Sequence, residues 1–156
     1  MPGGLPRIHD TPRHLDRVDD TRTAARRSAL RRSLGQPRVV VVALDPAEAG
    51  AGEIVALSPL TRSLEPRPDL HGAWVRVVAQ GWELEALEAC EAIEGASAIE
   101  VDVSVGSTTT RSPSLDELLA AVGPRFRVAA LDATHADPAS GATVAASVVL
   151  VAQPST

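Results

Sequence analysis

Blocks of apolar residues in the first half of the chain predict three strands. Residues 39–45 are an aliphatic run that ends in Asp45, which is typical of a strand buried on both faces. A glycine-bearing loop over residues 46–52 and a shorter apolar run over residues 53–57 follow, and together they predict a hairpin. Residues 73–80 predict a third strand, because this apolar run stops at a glycine.

The centre of the chain changes from helical to strand periodicity. Apolar residues recur at helical spacing over residues 82–94, and five glutamates occupy other positions of the same segment. Cys90 falls on the apolar side of this helix, so we interpret it as a core residue and not as a nucleophile. Residues 97–105 alternate strictly between apolar and polar residues, which predicts a strand with one face in water.

The last third of the chain predicts a short helix followed by a hairpin. Ser114 and Glu117 stand three residues apart ahead of an apolar run, which is the pattern of a capping box at a helix start. Residues 125–132 and 142–152 are apolar runs around a polar loop, and they predict two strands paired as a hairpin.

An arginine-rich helix is predicted near the N-terminus. Thr11 and Pro12 suit a helix start, and Gly35 suits a helix end, so the helix should extend to about Leu34. Its apolar stripe is thin, and arginines cover most of the remaining surface. We therefore expect that this helix is not fully buried in the core of its own chain.

Two segments of the chain resemble each other. Residues 34–45 and 122–132 share glycine, proline, arginine, valine, alanine, leucine and aspartate in the same order, with one gap. Either the chain contains two duplicated α-β-β units or similar helix-to-strand joints have converged. The predicted fold class is α/β (α+β), with a mixed, mainly antiparallel sheet, helices on one face, a ferredoxin-like or duplicated α-β-β arrangement, and a long N-terminal helix.

Charge divides the chain into a basic arm and an acidic body. Residues 1–38 hold nine arginines and four aspartates, while residues 39–156 hold six arginines and sixteen acidic residues. We expect a leader and helical arm over residues 1–36 and a single α/β domain over residues 37–156. The absence of lysine among the basic residues indicates a GC-rich bacterial or phage genome.

Composition excludes several classes of protein. Aromatic residues make up 2% of the chain, which argues against carbohydrate binding and against RNA recognition by stacking. A single cysteine allows no internal disulfide, and the N-terminal residues lack the apolar core of a signal peptide. No apolar run approaches the length of a membrane-spanning helix. We expect a soluble protein of the cytoplasm, or of the virion if the gene belongs to a phage, with no membrane partner.

Two loops carry candidate ligand-binding residues. Asp132, His135 and Asp137 lie close enough in sequence to hold a divalent cation, although the same residues are common in an ordinary turn. The loop over residues 106–111 lies between a strand and a helix start, where Ser107, Thr108 and Arg111 can bind an anion. It lacks the P-loop and dinucleotide-binding patterns. The sequence predicts no catalytic residue and no cofactor.

The main functional hypothesis is a non-enzymatic structural or assembly protein. It self-associates or docks on an acidic protein surface through its N-terminal helix, as in a component of a phage virion or a secretion machine. The expected contacts join a set of arginines to a set of glutamates: Arg22, Arg26, Arg27, Arg31 and Arg32 with Glu85, Glu88 and Glu91. Intramolecular docking or plain solvation of the helix is the structural alternative.

Two other functions remain open from the sequence. Nucleic-acid binding through residues 7–38 uses the same arginines, although aspartates dilute the first half of the helix. A small enzyme or nucleotide-binding protein built on the 106–111 loop is the second alternative.

Overall fold

The computed structural model describes residues 16–17, 21–105 and 112–154, and in them one mixed sheet is combined with three helices. The predicted mixed α/β class is therefore confirmed. In chain order the elements are β1 (Asp16–Arg17), α1 (Thr21–Ser33), β2 (Val39–Ala43), β3 (Glu53–Ser58), β4 (Ser63–Glu65), β5 (Trp74–Val78), α2 (Glu83–Ala89), β6 (Ala98–Ser104), α3 (Leu115–Val122), β7 (Phe126–Ala136) and β8 (Thr143–Ala152). Two 3-10 turns, Pro46–Glu48 and Ile93–Gly95, lie in the connections.

The sheet has a parallel part and an antiparallel part. Its strand order is β1-β7-β8-β6-β5-β2-β3-β4. Strands β3, β2, β5 and β6 run parallel to one another, while β4 closes one side and β8, β7 and β1 continue the other side in antiparallel pairs. The ferredoxin-like arrangement, in which the whole sheet is antiparallel, is therefore not found.

The hairpin predicted between β2 and β3 is wrong. The two strands are parallel, with Val40 opposite Glu53 and Ala43 opposite Ala56. The 3-10 turn Pro46–Glu48 carries the chain across the sheet face in the connection. Ala49, at the end of that turn, is buried against Val41 and Ala43, so the connection also covers part of β2.

Apolar side chains fill both faces of the sheet, but unequally. The main core joins one face of the sheet to α2 and α3, with Ile99 and Leu118 among its fully buried residues. On the opposite face, Leu30 and Leu34 from the α1 segment pack on a smaller cluster that contains Trp74 and Val149. The prediction that all helices lie on one face is therefore wrong, because α1 lies on the other.

The N-terminal helix is shorter than the sequence predicts. Within the described residues the helix covers Thr21–Ser33, and Asp16–Arg17 lies in a strand that pairs with His135 and Ala136 of β7. A continuous helix from Thr11 to Leu34 is therefore not confirmed. Residues 1–15 and 18–20 of the predicted leader and helical arm lie outside the described residues.

The two similar segments, residues 34–45 and 122–132, share a helix-to-strand connection, but the strands that follow are arranged differently. Gly35 after α1 and Gly123 after α3 both have φ of 82°, a backbone conformation that favours glycine. The strands that follow differ: β2 and β3 are parallel, whereas β7 and β8 are antiparallel. The two helices also lie on opposite faces. Convergence of two helix-to-strand joints accounts for this better than duplication.

Several local predictions are confirmed. Ser114 and Glu117 form both hydrogen bonds of the capping box at the start of α3. β6 alternates as predicted, with Ile99, Val101 and Val103 in the core, and β7 and β8 form the final hairpin. None of the helices described is long and apolar enough to cross a membrane.

Candidate functional site

One face of α1 rests on the sheet, and an arginine lies in the middle of that face. Along the helix and its end, Thr23, Arg27, Leu30, Arg31 and Leu34 are half-buried, while the residues between them are exposed. These positions follow the 3, 4 and 7 spacing of a helical stripe. Arg27 therefore points towards the sheet, between a threonine and the two leucines that anchor the helix.

Arg27 reaches three neighbouring strands of the sheet. Its Nη2 donates to the carbonyl of Ser147 on β8 at 2.9 Å and lies 3.2 Å from Asp132 Oδ2 on β7. Its Nε lies 3.8 Å from Glu100 Oε2 on β6. The other carboxylate oxygen of Glu100 accepts a 3.0 Å hydrogen bond from Trp74 Nε1. The guanidinium therefore ties α1 to the strands of the antiparallel half.

The register of the sheet brings the carboxylates to this position. Ser147 on β8 stands opposite Asp132 on one side and Asp102 on the other. Asp132 is 7% exposed and accepts a hydrogen bond from Arg26 as well as forming an ion pair with Arg27. Two of the arginines that the sequence assigns to an intermolecular interface are therefore paired with an aspartate of their own chain.

The Arg27 guanidinium is not fully satisfied. Its side chain is 11% exposed, and among the described residues its Nε and Nη1 atoms have no hydrogen-bond partner. Burial lowers the pKa of Arg27, and the charges of Glu100 and Asp132 oppose that effect. The site beneath α1 therefore retains hydrogen-bonding capacity that the protein groups around it do not use.

A groove of about 370 Å³ opens beside Arg27, between α1 and the sheet. Arg31 and Arg76 border it together with Arg27, and Glu100 is the one acidic residue among the described residues of its lining. Arg31 donates through Nε to the carbonyl of Pro37 at 3.1 Å. The sequence does not reveal this groove, because its walls come from segments that are distant along the chain.

The outer face of α1 presents the remaining arginines to solvent. Arg22 and Arg32 are exposed, and neither has a hydrogen-bond or ion-pair partner within the described part of the chain. Arg26 is 61% exposed even though one of its nitrogens contacts Asp132. Of the five predicted interface arginines, these three are accessible to a partner.

The predicted acidic contacts lie on and after α2, on the opposite face of the sheet. Glu85 is half-buried, whereas Glu88 and Glu91 are exposed. Glu91 accepts from Arg67 Nη2 at 3.3 Å, in a pair exposed on both sides. Glu88 and Glu91 also border a groove of about 400 Å³. The acids therefore form an accessible surface next to a concave one.

Glu83 departs from the other glutamates of this helix. It is 3% exposed, and its carboxylate accepts from the Gly81 amide at 3.0 Å and from Ser112 Oγ at 3.0 Å. Burial raises the pKa of Glu83, while the bonds from Gly81 and Ser112 lower it less. Glu83 lies one helical turn before buried Leu87, and this spacing is the sequence signal for its burial.

The candidate metal ligands do not form a loop site. Asp132 and His135 lie in β7, and Asp132 is held by arginines. Asp137 accepts from the Ala139 amide at 2.9 Å and from Ser140 Oγ at 3.1 Å, which makes it a turn residue. Across residues 16–17, 21–105 and 112–154, no three His, Cys, Asp or Glu side chains are grouped to hold a metal. This arrangement gives no support to the metal hypothesis.

Two further sequence predictions concern a loop and a cysteine. The candidate anion-binding residues Ser107, Thr108 and Arg111 lie outside the described residues. Cys90 is 4% exposed in the main core, and burial raises the pKa of its thiol to about 12. A thiol in that state is protonated at neutral pH and is not a nucleophile.

Comparisons with known proteins identify no relative of this chain. No family model matches the chain, and neither a curated protein nor a solved structure matches it.

Proposed function

We propose that this protein is a non-enzymatic assembly component that associates through the outer face of α1 with an acidic surface, and that the surface is α2 of a second copy. The observation that carries the proposal is the position of the two helices on opposite faces of one sheet. Within one chain the sheet lies between them. Their complementary charges therefore fit a contact between two molecules.

The arginines that remain accessible define the basic side of this contact. Arg22 and Arg32 have no partner in the described part of the chain, and Arg26 is more than half exposed. Because Leu30 and Leu34 hold α1 on its own sheet, the helix would act as a docked surface and not as a free arm. The expected contact set is narrower than the sequence predicts, since Arg27 and Arg31 face inward.

Glu88 and Glu91 define the acidic side. They border the 400 Å³ groove, which offers a neighbouring arginine side chain a concave place to lie. The exposed ion pair between Glu91 and Arg67 does not prevent this contact, because such a pair contributes only about 0–1 kcal/mol to stability. Two different surfaces meeting in this way make a head-to-tail contact, which generates rings or filaments. That geometry fits a part of a larger assembly such as a virion or secretion machine.

Charge reversal of the outer arginines tests the proposal. We expect light scattering at low salt to give an oligomeric mass for the parent protein and a lower mass for the Arg22→Glu and Arg32→Glu double variant. Adding Glu88→Arg and Glu91→Arg should restore that mass, because the complementary charges return in exchanged positions. Arg125→Glu with Arg127→Glu is the matched control, since it makes the same charge change on exposed residues outside α1.

Two results would contradict the proposal. One is a parent protein that remains a monomer at every concentration and salt level. The other is an oligomer whose mass does not respond to reversal of Arg22 and Arg32. Arg26 and Arg27 are avoided in this experiment because reversal of either charge would also disturb Asp132.

Nucleic-acid binding is the alternative use of the same arginines. Of the five arginines in α1, Arg26, Arg27 and Arg31 already contact carboxylate or carbonyl oxygens of the chain itself. Arg27 and Arg31 also face the sheet, so a duplex on the outer face of α1 would meet few free cations. A duplex-DNA shift that weakens steeply with salt and with reversal of Arg22 and Arg32 would favour this alternative over assembly.

A further inference from the structure

The groove between α1 and the sheet has an excess of positive charge. Among the described residues of its lining, Arg27, Arg31 and Arg76 are positively charged and Glu100 is negatively charged. Asp132 and Glu100 both lie against the Arg27 guanidinium, so Arg31 and Arg76 supply the positive charge that a ligand would meet. Glu100 already accepts from Trp74 and lies beside Arg27.

The arginines of the groove have unused donors. Arg76 is exposed and donates no hydrogen bond within the described residues, although the charge of Asp102 lies near it. Arg31 uses only its Nε, for the Pro37 carbonyl. Arg27 has two nitrogens without a hydrogen-bond partner. A guanidinium presents its donors in a flat fork that matches the oxygens of phosphate and carboxylate, so three such groups around one groove favour an oxyanion.

Other lining groups suit a ligand with an organic part. Thr23 and Ser28 bring hydroxyl groups from α1, and Val39 and Ala51 add apolar surface from the strand and connection opposite. A volume of about 370 Å³ lies within the range of small-molecule sites. The groove is therefore larger than a lone inorganic ion needs, and only part of it is polar.

We propose that this groove binds the phosphate monoester group of a small molecule, with Arg31 and Arg76 as the residues that hold the phosphate and Arg27 beneath it. A phosphate monoester carries about two negative charges at neutral pH, and Arg31 and Arg76 supply opposite charges at the groove. The site is independent of the proposed assembly contact, because it uses the inner edge of α1 and not the outer face that carries Arg22 and Arg32.

Calorimetric titration of the full chain tests the site, with phenyl phosphate and inorganic phosphate as probes and ionic strength held constant. We expect saturable binding of phenyl phosphate at one site per chain, and weaker binding of inorganic phosphate, which makes no apolar contact. Arg76→Gln should weaken phenyl phosphate binding about tenfold or more, because charge-assisted hydrogen bonds are lost. Arg67→Gln is the matched control, since Arg67 is an exposed arginine outside the groove.

Trp74 provides a second readout. It lines the groove, and Trp82, the other tryptophan of the chain, is not among the groove residues, so Trp82→Phe leaves Trp74 as the one fluorophore. Saturable fluorescence change with the same affinity as the calorimetric signal supports the site. Absence of calorimetric saturation up to about 10 mM, equal affinity in Arg76→Gln, or a response to duplex DNA alone overturns it.

Discussion

At the residue scale, burial gives Glu83 different properties from the exposed glutamates near it. Glu83 and Glu88 belong to the same helix, yet Glu83 is enclosed while Glu88 meets solvent. The Glu83 carboxylate ties the end of β5, through Gly81, to Ser112 ahead of α3. Its burial favours the neutral acid, and its hydrogen bonds favour the anion. Because burial dominates, the pKa is raised and the charge costs stability at neutral pH.

Glu83→Gln should remove a pH-dependent part of the stability. With a raised folded pKa, the stabilisation from the Glu83 proton is fully present below the ordinary glutamate pKa and is lost as the pH rises through the raised value. We therefore expect the parent protein to lose stability relative to Glu83→Gln across that window, by about 1.4 kcal/mol for every pH unit between the unfolded and the folded pKa. Urea unfolding at a series of pH values measures this difference.

Glu88→Gln is the control for this experiment, because the same chemical change is made at an exposed position of the same helix. A stability difference between parent and Glu83→Gln that stays constant from acidic to neutral pH would show that the raised pKa of Glu83 is wrong.

The connection between β2 and β3 explains what the sequence can and cannot predict at the scale of elements. Parallel strands usually need a crossover of about a dozen residues or more, so a shorter loop with Pro46 and two glycines indicates a hairpin. The chain instead crosses the sheet face with a single 3-10 turn and returns to β2 at Gly52. A Cβ on Gly52 would lie 3.0 Å from Val41 Cγ2 and 3.1 Å from the Val39 carbonyl oxygen.

Gly52→Ala should be more destabilising than an alanine substitution at a glycine with open space around it. The φ of 138° at Gly52 is a conformation that L residues rarely adopt, and the added Cβ would press on the backbone of β2. We expect the free energy of unfolding to fall by about 3 kcal/mol. Gly72→Ala is the control, with φ of 69° and open space around it, and about 1 kcal/mol is expected there. Equal losses in urea unfolding would contradict a crowded parallel crossover.

Local patterns predicted most of the elements because each depends on neighbouring residues. The alternation of β6, the capping box at Ser114 and the hairpin of β7 and β8 all follow from short-range rules. The three-residue strand β4 was missed, since Ser63–Glu65 lies in a proline-rich connection and shows no periodicity. Strand order and direction depend on contacts between distant segments, which no single run of residues encodes.

At the scale of the whole molecule, the two faces of the sheet differ in how firmly they are covered. The face under α2 and α3 carries the large core, whereas α1 contributes no fully buried residue to the other face. The candidate site lies on the weaker face. The site could not be predicted from the sequence, because nothing near Arg27 in the sequence distinguishes it from the exposed arginines of α1. Only the packing of α1 on the sheet brings Arg27 to Asp132 and Glu100. The apolar leucines decide which side of the helix turns inward, and the arginine between them follows.

This unequal coverage predicts that α1 opens without unfolding the rest of the protein. Asp132→Asn should accelerate hydrogen exchange in α1, because it removes the charge that Arg26 and Arg27 share, and each 1.4 kcal/mol lost from docking corresponds to a roughly tenfold faster exchange. Strand β6, in the main core, should keep its protection. Exchange followed by mass spectrometry separates the two regions. Glu91→Gln makes the same carboxylate-to-amide change at an exposed ion pair and should alter neither region. If α1 and β6 lost protection together in Asp132→Asn, the sheet and its helices would form one cooperative unit, and α1 would not be the separately opening layer that its shallow packing implies.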